Sequence, residues 1–223
     1  MNPPLLRTPR HWVVWTVGLF AATFLLGFAA KLVPALRLDG LAASVNAVNS
    51  PLLDRTALLL DQLDHVLVAG CILAVAFVVV LFVKGWRNAL AVCLVAGFGW
   101  ITTLVVKAIV AEPRPTAALA HQLAVAPSTL SFPSGHVVFA VSLTAALAMV
   151  CRSAGSRGVV IVVGAIFVLL VAWSRLYVGV HYGADVAGSF LNGVAGAILF
   201  AGLWNLVAAR LLVDRRRQVP ISS

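Results

Sequence analysis

Residues 66–83 read VLVAGCILAVAFVVVLFV and carry no charged side chain. A helix of about 20 apolar residues crosses the hydrocarbon core of a bilayer, so this segment predicts a transmembrane helix. The whole chain has the same character. Of its 223 residues, 62% are hydrophobic and only 10% are charged, and the mean hydropathy is +1.05. Soluble domains do not reach such values, so the sequence predicts a polytopic membrane protein.

Five further segments are similarly long and apolar. The six predicted spans lie near residues 12–30, 66–83, 89–108, 134–151, 158–174 and 185–208. The first has a longer apolar core than the 7–15 residues of a signal peptide, so we expect it to be retained. No internal repeat or second domain is apparent. We therefore expect an all-α protein, a bundle of six transmembrane helices that forms one membrane-embedded domain over residues 1–223.

The basic residues between the spans predict the orientation. With the N-terminus inside, the inner segments hold Arg7, Arg10, Lys84, Arg87, Arg152, Arg157, Arg210, Arg215, Arg216 and Arg217, and the outer segments hold Lys31, Arg37, Arg55, Lys107, Arg114 and Arg175. Lys and Arg favour the cytoplasmic side, so both termini are expected in the cytoplasm of a multi-pass protein of the inner (plasma) membrane. The net charge of +9 then comes mainly from basic residues that flank the spans and orient them. We therefore expect no nucleic-acid partner.

The first outer loop, residues 31–64, predicts a short helix. Ser50-Pro51 combines a typical N-cap residue with proline at the first helical position. Leucines then recur at roughly helical spacing between charged residues, which indicates an amphipathic helix on the outer leaflet. This helix has two possible roles: it packs over the bundle, or it takes part in lipid entry.

Three polar clusters interrupt the apolar sequence. They are Lys107 with Arg114-Pro115, Pro133-Ser134-Gly135-His136, and Ser174-Arg175 with His181 and Asp185. Ionisable residues are costly in a membrane, and such residues at the ends of spans indicate a functional site. The third and fifth spans leave the membrane at the first and third clusters, and the fourth and sixth re-enter beside them. The topology therefore predicts that all three clusters meet at the outer face.

The residue types in the clusters suit phosphate chemistry. His181 and Asp185 are four residues apart, so they face one another on a helix. A carboxylate that bonds one imidazole nitrogen fixes the tautomer and leaves the other nitrogen available as a nucleophile. His136, which opens the facing helix, is a candidate proton donor. The sequence therefore predicts His181, His136 and Asp185 as catalytic residues.

The remaining cluster residues predict a phosphate-binding site. Ser134 and Gly135 begin the fourth helix, and the free amides and positive dipole of a helix N-terminus favour an anion. Lys107, Arg114 and Arg175 supply three permanent cations, and the arginine fork matches phosphate oxygens. No carboxylate cluster accompanies them, so we expect no metal and no cofactor.

The three clusters also resemble the motifs of a known family. Lys-x₆-Arg-Pro, Pro-Ser-Gly-His and Ser-Arg-x₅-His-x₃-Asp are similar to the motifs of the type 2 phosphatidic acid phosphatases, which are related to vanadium haloperoxidases. The resemblance implies a metal-independent phosphatase that works through a phosphohistidine. It assigns nucleophilic attack to His181, orientation of that imidazole to Asp185, and protonation of the leaving oxygen to His136. The other five residues would hold the phosphate oxygens.

Together with an outward-facing site, the resemblance implies an enzyme that acts on a membrane lipid phosphate, and it favours a polyprenyl (undecaprenyl-type) diphosphate. Phosphatidic acid and phosphatidylglycerol phosphate are alternative substrates, and the family also includes enzymes for soluble phosphate esters. A non-catalytic lipid-phosphate binder or transporter is a distant alternative, because transporters place charges deep within spans or in broken helices. A vanadate-dependent peroxidase is disfavoured by the six predicted spans.

Overall fold

The computed structural model describes residues 6–115, 123 and 129–217, and their regular structure is helical. The helices are α1 (Trp12–Leu32), α2 (Asp39–Ala47), α3 (Pro51–Asp61), α4 (Val66–Lys84), α5 (Trp86–Val110), α6 (Gly135–Val150), α7 (Ala154–Tyr177) and α8 (Gly183–Arg217). Two short 3₁₀ turns, Pro34–Arg37 and Gln62–Asp64, precede α2 and α4 respectively. The expectation of an all-α protein is confirmed.

Five of the described helices, α1, α4, α5, α7 and α8, are long and apolar enough to cross a membrane. The remaining predicted span, residues 134–151, corresponds to α6, which has 16 residues. At about 1.5 Å per residue it is roughly 24 Å long, shorter than a hydrocarbon core of about 30 Å. The chain is therefore a multi-pass membrane protein, while the count of six spans stays a prediction that depends on α6.

Helix α6 lies at the centre of the bundle and packs against α5, α7 and α8. Its first nine residues, 135–143, are all buried. Helices α5 and α8 pack closely beside it, because a Cβ atom on Gly196 would lie 2.9 Å from the Cα atom of Gly99. Small residues permit this close approach in membrane bundles. The central, short helix is therefore packed among longer helices whose outward faces expose large apolar side chains, such as Leu104 of α5 and Leu169 of α7.

The first predicted outer loop contains two helices where the sequence predicts one. The predicted helix is α3, and its predicted start is correct. Ser50 caps it, since its Oγ accepts a hydrogen bond from the amide of Leu53, 3.3 Å away, and Pro51 is its first residue. Helix α2 is additional. Both helices pack against α7, with contacts at its C-terminal residue Tyr177, so this loop covers one end of the bundle.

The second predicted outer loop, residues 109–133, is described in part. Residues 116–122 and 124–128 lie outside the described residues. The two described ends pair with each other through a single antiparallel bridge between Pro113 and Leu130. This pairing brings the first two polar clusters to one place at the end of the bundle.

Candidate active site

Lys107 and Arg114 are positioned by the short pairing between residues 112–114 and 129–131. Helix α5 ends at Val110, and Ala111 turns the chain in a left-handed conformation with φ of 50°. The amide of Arg114 then donates to the carbonyl of Thr129 at 3.1 Å. From the last turn of α5, Lys107 Nζ donates to the carbonyls of residues 130 and 131, each at 3.1 Å. The lysine thereby ties the first cluster to the second.

The second cluster forms the N-terminus of α6. Ser134 is the N-cap residue, but its side chain does not cap the helix. Its amide donates to Ser189 Oγ on α8 at 2.8 Å, whereas its own Oγ is buried and has no hydrogen-bond partner among the described residues. A buried polar atom of this kind calls for an explanation. Together with the first-turn amides at Gly135 and His136, this hydroxyl is suited to receive an anion.

The third cluster holds the imidazole ring of His181 in a fixed orientation. His181 precedes α8, and its Nδ1 lies 3.1 Å from Asp185 Oδ2. The same carboxylate oxygen accepts the amide of Tyr182 at 2.8 Å. On the other side of the ring, Arg114 Nη1 lies 3.2 Å from Nε2 and also donates to the carbonyl of Val180 at 2.8 Å.

These contacts assign the tautomer of His181. An arginine is always a donor, so Nε2 must present its lone pair to Arg114. The proton then resides on Nδ1 and is donated to Asp185. The predicted i, i+4 pair is therefore present, and the nitrogen that faces Arg114 is the unprotonated one.

Burial lowers the pKa of His181 well below its usual value of about 6.5, and its ring is only 2% exposed. The positive charges of Arg114, Lys107 and Arg175 lower the pKa further. Each of these effects disfavours the imidazolium. The neutral ring, which is the nucleophilic form, is therefore the form that the site stabilises.

Arg175 and His136 form a second group beside the first. Arg175 is fully buried, and its Nη1 lies 3.3 Å from His136 Nε2 and 2.5 Å from Asp61 Oδ1. The carbonyl oxygen of Asp61 lies 2.8 Å from the same His136 Nε2. The shorter contact requires a proton on Nε2, because a carbonyl only accepts. The longer contact with Arg175 then joins two donors and is not a hydrogen bond. His136 therefore carries its proton on the nitrogen that faces the site.

The structure thus brings all eight predicted residues to the same end of the bundle. His181, Asp185 and Arg114 make direct contacts, as do His136 and Arg175, and Lys107 acts electrostatically on His181. Lys107 and Arg114 are half-buried, whereas His136, Arg175, His181, Asp185 and Ser134 are buried. The two groups together offer a neutral nucleophilic nitrogen, a proton-bearing nitrogen and three cations.

Three residues of this region were missed by sequence reasoning. Ser189 follows Asp185 by four residues, so helical spacing could have identified it. Glu112 lies between Lys107 and Arg114, is fully buried and pairs with Arg37 Nε at 2.9 Å. Burial raises its pKa, although the charge of Arg37 lowers it. The third residue, Asp61, lies 75 positions before His136. No local pattern connects it to the site.

Comparison with known proteins identifies the family. The model of the PAP2 superfamily matches residues 85–208, which is more than half of the chain and includes all eight predicted site residues. The chain belongs to the PAP2 superfamily. The resemblance found in the three motifs is therefore confirmed.

Two curated bacterial proteins are similar to the chain over part of their length. Undecaprenyl-diphosphatase BcrC of Bacillus subtilis (strain 168) is 35% identical over 112 residues, which cover 48% of this chain and 55% of BcrC. YbjG of Escherichia coli (strain K12), whose name assigns the same activity provisionally, is 36% identical over 83 residues. That match covers 36% of this chain and 38% of YbjG. The chain thus matches only about half or less of these relatives.

Two solved structures share the fold. One is a transmembrane PAP2-type phosphatidylglycerolphosphate phosphatase from Bacillus subtilis, with a TM-score of 0.70, 22% identity, and coverage of 84% of this chain and 94% of that one. The other is LpxE of Aquifex aeolicus, with a TM-score of 0.57, 22% identity, and coverage of 72% and 92%. At this level of identity they establish the architecture of the PAP2 membrane phosphatases for this chain.

The lowered pKa of His181 predicts a pH dependence of stability. Below about pH 6.5 the unfolded chain binds a proton at this histidine and the folded protein does not, so the free energy of unfolding falls as the pH falls. The contribution approaches about 1.4 kcal/mol per pH unit. We expect the thermal midpoint of a His181→Gln variant, measured in detergent between pH 7 and 5, to fall less steeply than that of the wild type. Equal slopes for the wild type and His181→Gln would contradict the assignment.

Proposed function

We propose that the chain is an integral-membrane phosphatase that hydrolyses the phosphate of a membrane lipid through a phosphohistidine. The observation that carries this proposal is the arrangement around His181. Its Nδ1 is held by Asp185, and its unprotonated Nε2 faces the guanidinium of Arg114. A nucleophile with a fixed tautomer beside a cation fits attack on an anionic phosphorus centre.

In the first step, His181 Nε2 forms a bond to the terminal phosphorus. The bond from that phosphorus to the leaving oxygen breaks, and the electron pair departs with the oxygen. His136, in the imidazolium form that the negative charge of the bound phosphate favours, donates its Nε2 proton to this oxygen and becomes neutral. Arg114, Arg175 and Lys107 stabilise the charge that spreads over the transferring phosphoryl group, which is how proteins commonly catalyse phosphoryl transfer.

In the second step, a water molecule attacks the phosphohistidine. The neutral His136 accepts a proton from this water, as microscopic reversibility requires of the group that donated in the first step. The bond between phosphorus and Nε2 breaks, its electron pair returns to the ring, and inorganic phosphate leaves. Asp185 stabilises the positive charge that the imidazole ring of His181 carries while it is phosphorylated.

The proposed substrate is a polyprenyl diphosphate of the undecaprenyl type. The support comes from the names of the two bacterial relatives, to which the chain is similar over part of their length. The position of the site at the end of an apolar bundle fits a substrate whose head group lies at the membrane interface. Phosphate release from a panel of polyprenyl diphosphates, phosphatidic acid and phosphatidylglycerol phosphate would rank the candidates.

We also propose that the site faces the extracytoplasmic side of the plasma membrane and that both termini are cytoplasmic. The support is the excess of Lys and Arg at the opposite end of the bundle, where Arg7, Arg152 and Arg157 lie. Spent lipid carriers would be dephosphorylated on this side. A lipid phosphate in the outer leaflet could then reach the site without crossing the membrane.

The mechanism predicts that the phosphoenzyme depends on His181. The substrate is labelled in its terminal phosphate, EDTA is present, and the reaction is quenched in alkali, because acid would hydrolyse a phosphohistidine and lose the label. Wild type should carry an alkali-stable, acid-labile label, and His181→Ala should carry none. His136→Ala should slow turnover by about 10²–10⁴-fold and recover part of the loss with an aryl phosphate whose leaving group needs no proton.

A matched control is His65→Ala, because His65 is exposed and lies outside the proposed site. It should be labelled like the wild type. An undiminished label in His181→Ala would contradict the proposed nucleophile. Loss of all turnover in EDTA, with recovery on adding magnesium, would contradict the metal-independent mechanism.

The proposed orientation predicts the accessibility of two positions. In a variant whose Cys71, Cys93 and Cys151 are replaced by alanine, Arg55→Cys should react with an impermeant thiol reagent on intact cells. Gly155→Cys, at the opposite end of the bundle, should react only after the cells are permeabilised. Both positions are exposed, and a side chain at Gly155 meets nothing within 4 Å. The reverse pattern would place the site in the cytoplasm.

A further inference from the structure

Asp61, the last residue of α3, contacts the two site residues that a phosphate ester must engage. Its Oδ1 lies 2.5 Å from Nη1 of Arg175, and its carbonyl oxygen lies 2.8 Å from Nε2 of His136. In the proposed reaction, the arginine binds a phosphate oxygen and the histidine protonates the leaving oxygen. Asp61 therefore places its carboxylate oxygen at Arg175 and its carbonyl oxygen at His136. In the proposed reaction, a phosphate oxygen and the leaving oxygen of the substrate would take these two positions.

Helix α3 also covers the part of the site that contains Arg175 and His136. Arg175 is fully buried, His136 is 9% exposed and His181 is 2% exposed. The carbonyl of Ala57, one turn before Asp61, accepts a hydrogen bond from Arg175 Nη2 at 3.5 Å. A lipid phosphate has no access to groups buried this deeply unless a covering element moves.

The two ends of α3 are held by different kinds of contact. At its start, Tyr177 Oη donates to Asp54 Oδ1 at 2.5 Å and accepts the amide of Ser50 at 3.3 Å. At its end, Asp61 holds the helix to the site through the very groups that bind substrate. The first contact can persist during the reaction, whereas the second cannot. The structure therefore has a fixed end at Tyr177 and a displaceable end at Asp61.

We infer that Asp61 occupies the phosphate site in place of the substrate, and that α3 is a lid which the substrate phosphate displaces. The inference rests on the proposed function, because it takes Arg175 and His136 as phosphate-binding and proton-donating groups. Asp61 satisfies the buried guanidinium in the resting state, which avoids the cost of an unpaired charge. The substrate then supplies a replacement anion, so opening the lid leaves no buried cation without a partner.

The outward side of α3 fits a lid at a membrane surface. Leu52 and Leu59 are 74% and 72% exposed, although both are large apolar residues. Side chains of this kind lie favourably among lipid tails at the interface. A lipid whose head group enters the site from that interface would meet α3 first. The lid thus contacts the lipid bilayer, which contains the substrate.

Displacement of Asp61 predicts tighter binding when its charge is removed. In Asp61→Asn, the carboxylate no longer competes for Arg175, and orthovanadate serves as a soluble probe of the phosphate site. We expect its dissociation constant, measured by calorimetry on folded protein, to fall about tenfold. The reason is that only a fraction of wild-type molecules, about one in ten, would have Asp61 away from Arg175 and be able to bind vanadate. Such a fraction weakens the apparent affinity of the wild type by the same factor. With lipid substrate, KM should fall and kcat should not.

Asp54→Asn is the matched control, because it changes the same residue type in the same helix but at the end held by Tyr177. It should leave vanadate affinity within about twofold of the wild type, well below the tenfold change that removal of a competing group produces. An equal gain in both variants would show that loosening of the helix, not competition for Arg175, is responsible, and would overturn the inference. A fall in kcat without tighter binding in Asp61→Asn would make Asp61 a positioning residue and would also overturn it.

A second measurement uses the wild type alone. Hydrogen–deuterium exchange of residues 57–63 should become faster when orthovanadate binds, because α3 loses its contacts with Arg175 and His136. Slower exchange there would mean that α3 closes over the ligand, which contradicts displacement. If the wild type turns over lipid phosphate but shows no change in exchange, the lid is refuted and the proposed function is not. If the wild type neither turns over lipid phosphate nor binds vanadate, both the lid and the proposed function are refuted.

Discussion

Permanent cations buried at the end of an apolar bundle impose the main constraint on this structure. Each must find acceptors inside the protein, because an unpaired buried charge is very costly. Lys107 bonds two carbonyls of the loop before α6, Arg114 bonds the carbonyl of Val180, and Arg175 bonds Asp61 and the carbonyl of Ala57. Each cation thus holds a different loop in place. The charges that we propose to bind phosphate are the same charges that order this end of the bundle.

The same cations explain how the two histidines can play different parts. Burial and three positive neighbours keep His181 neutral, and Asp185 determines which of its nitrogens is free. His136 instead meets the carbonyl of Asp61, which requires its proton to be on Nε2. Two chemically identical side chains therefore present a lone pair and a proton to the same region. Distinct roles for a pair of like groups arise from their surroundings rather than from their intrinsic chemistry.

The sequence predicts the features that depend on local pattern. Apolar runs locate the long helices, Ser50-Pro51 locates the start of α3, and membrane topology alone brings the polar clusters to one end. The contact of Asp61 with Arg175 was not predictable, because it depends on how α2 and α3 fold back over α7. The pairing of Arg37 with Glu112 is equally remote in sequence. Contacts between residues far apart in the chain depend on tertiary packing and leave no periodic pattern in the sequence. Ser189, in contrast, could have been predicted, because it follows Asp185 by four residues on the same helix.

The central claim is that His181 Nε2 attacks a phosphate held by the cations at this end of the bundle. It is tested most directly by a structure of the protein with bound orthovanadate, which mimics pentacoordinate phosphorus. The account predicts a bond from vanadium to His181 Nε2, His136 on the opposite side of the vanadate, and the Asp61 carboxylate withdrawn from Arg175. Vanadate bonded to another residue, or absent from this site while turnover is inhibited, would contradict it.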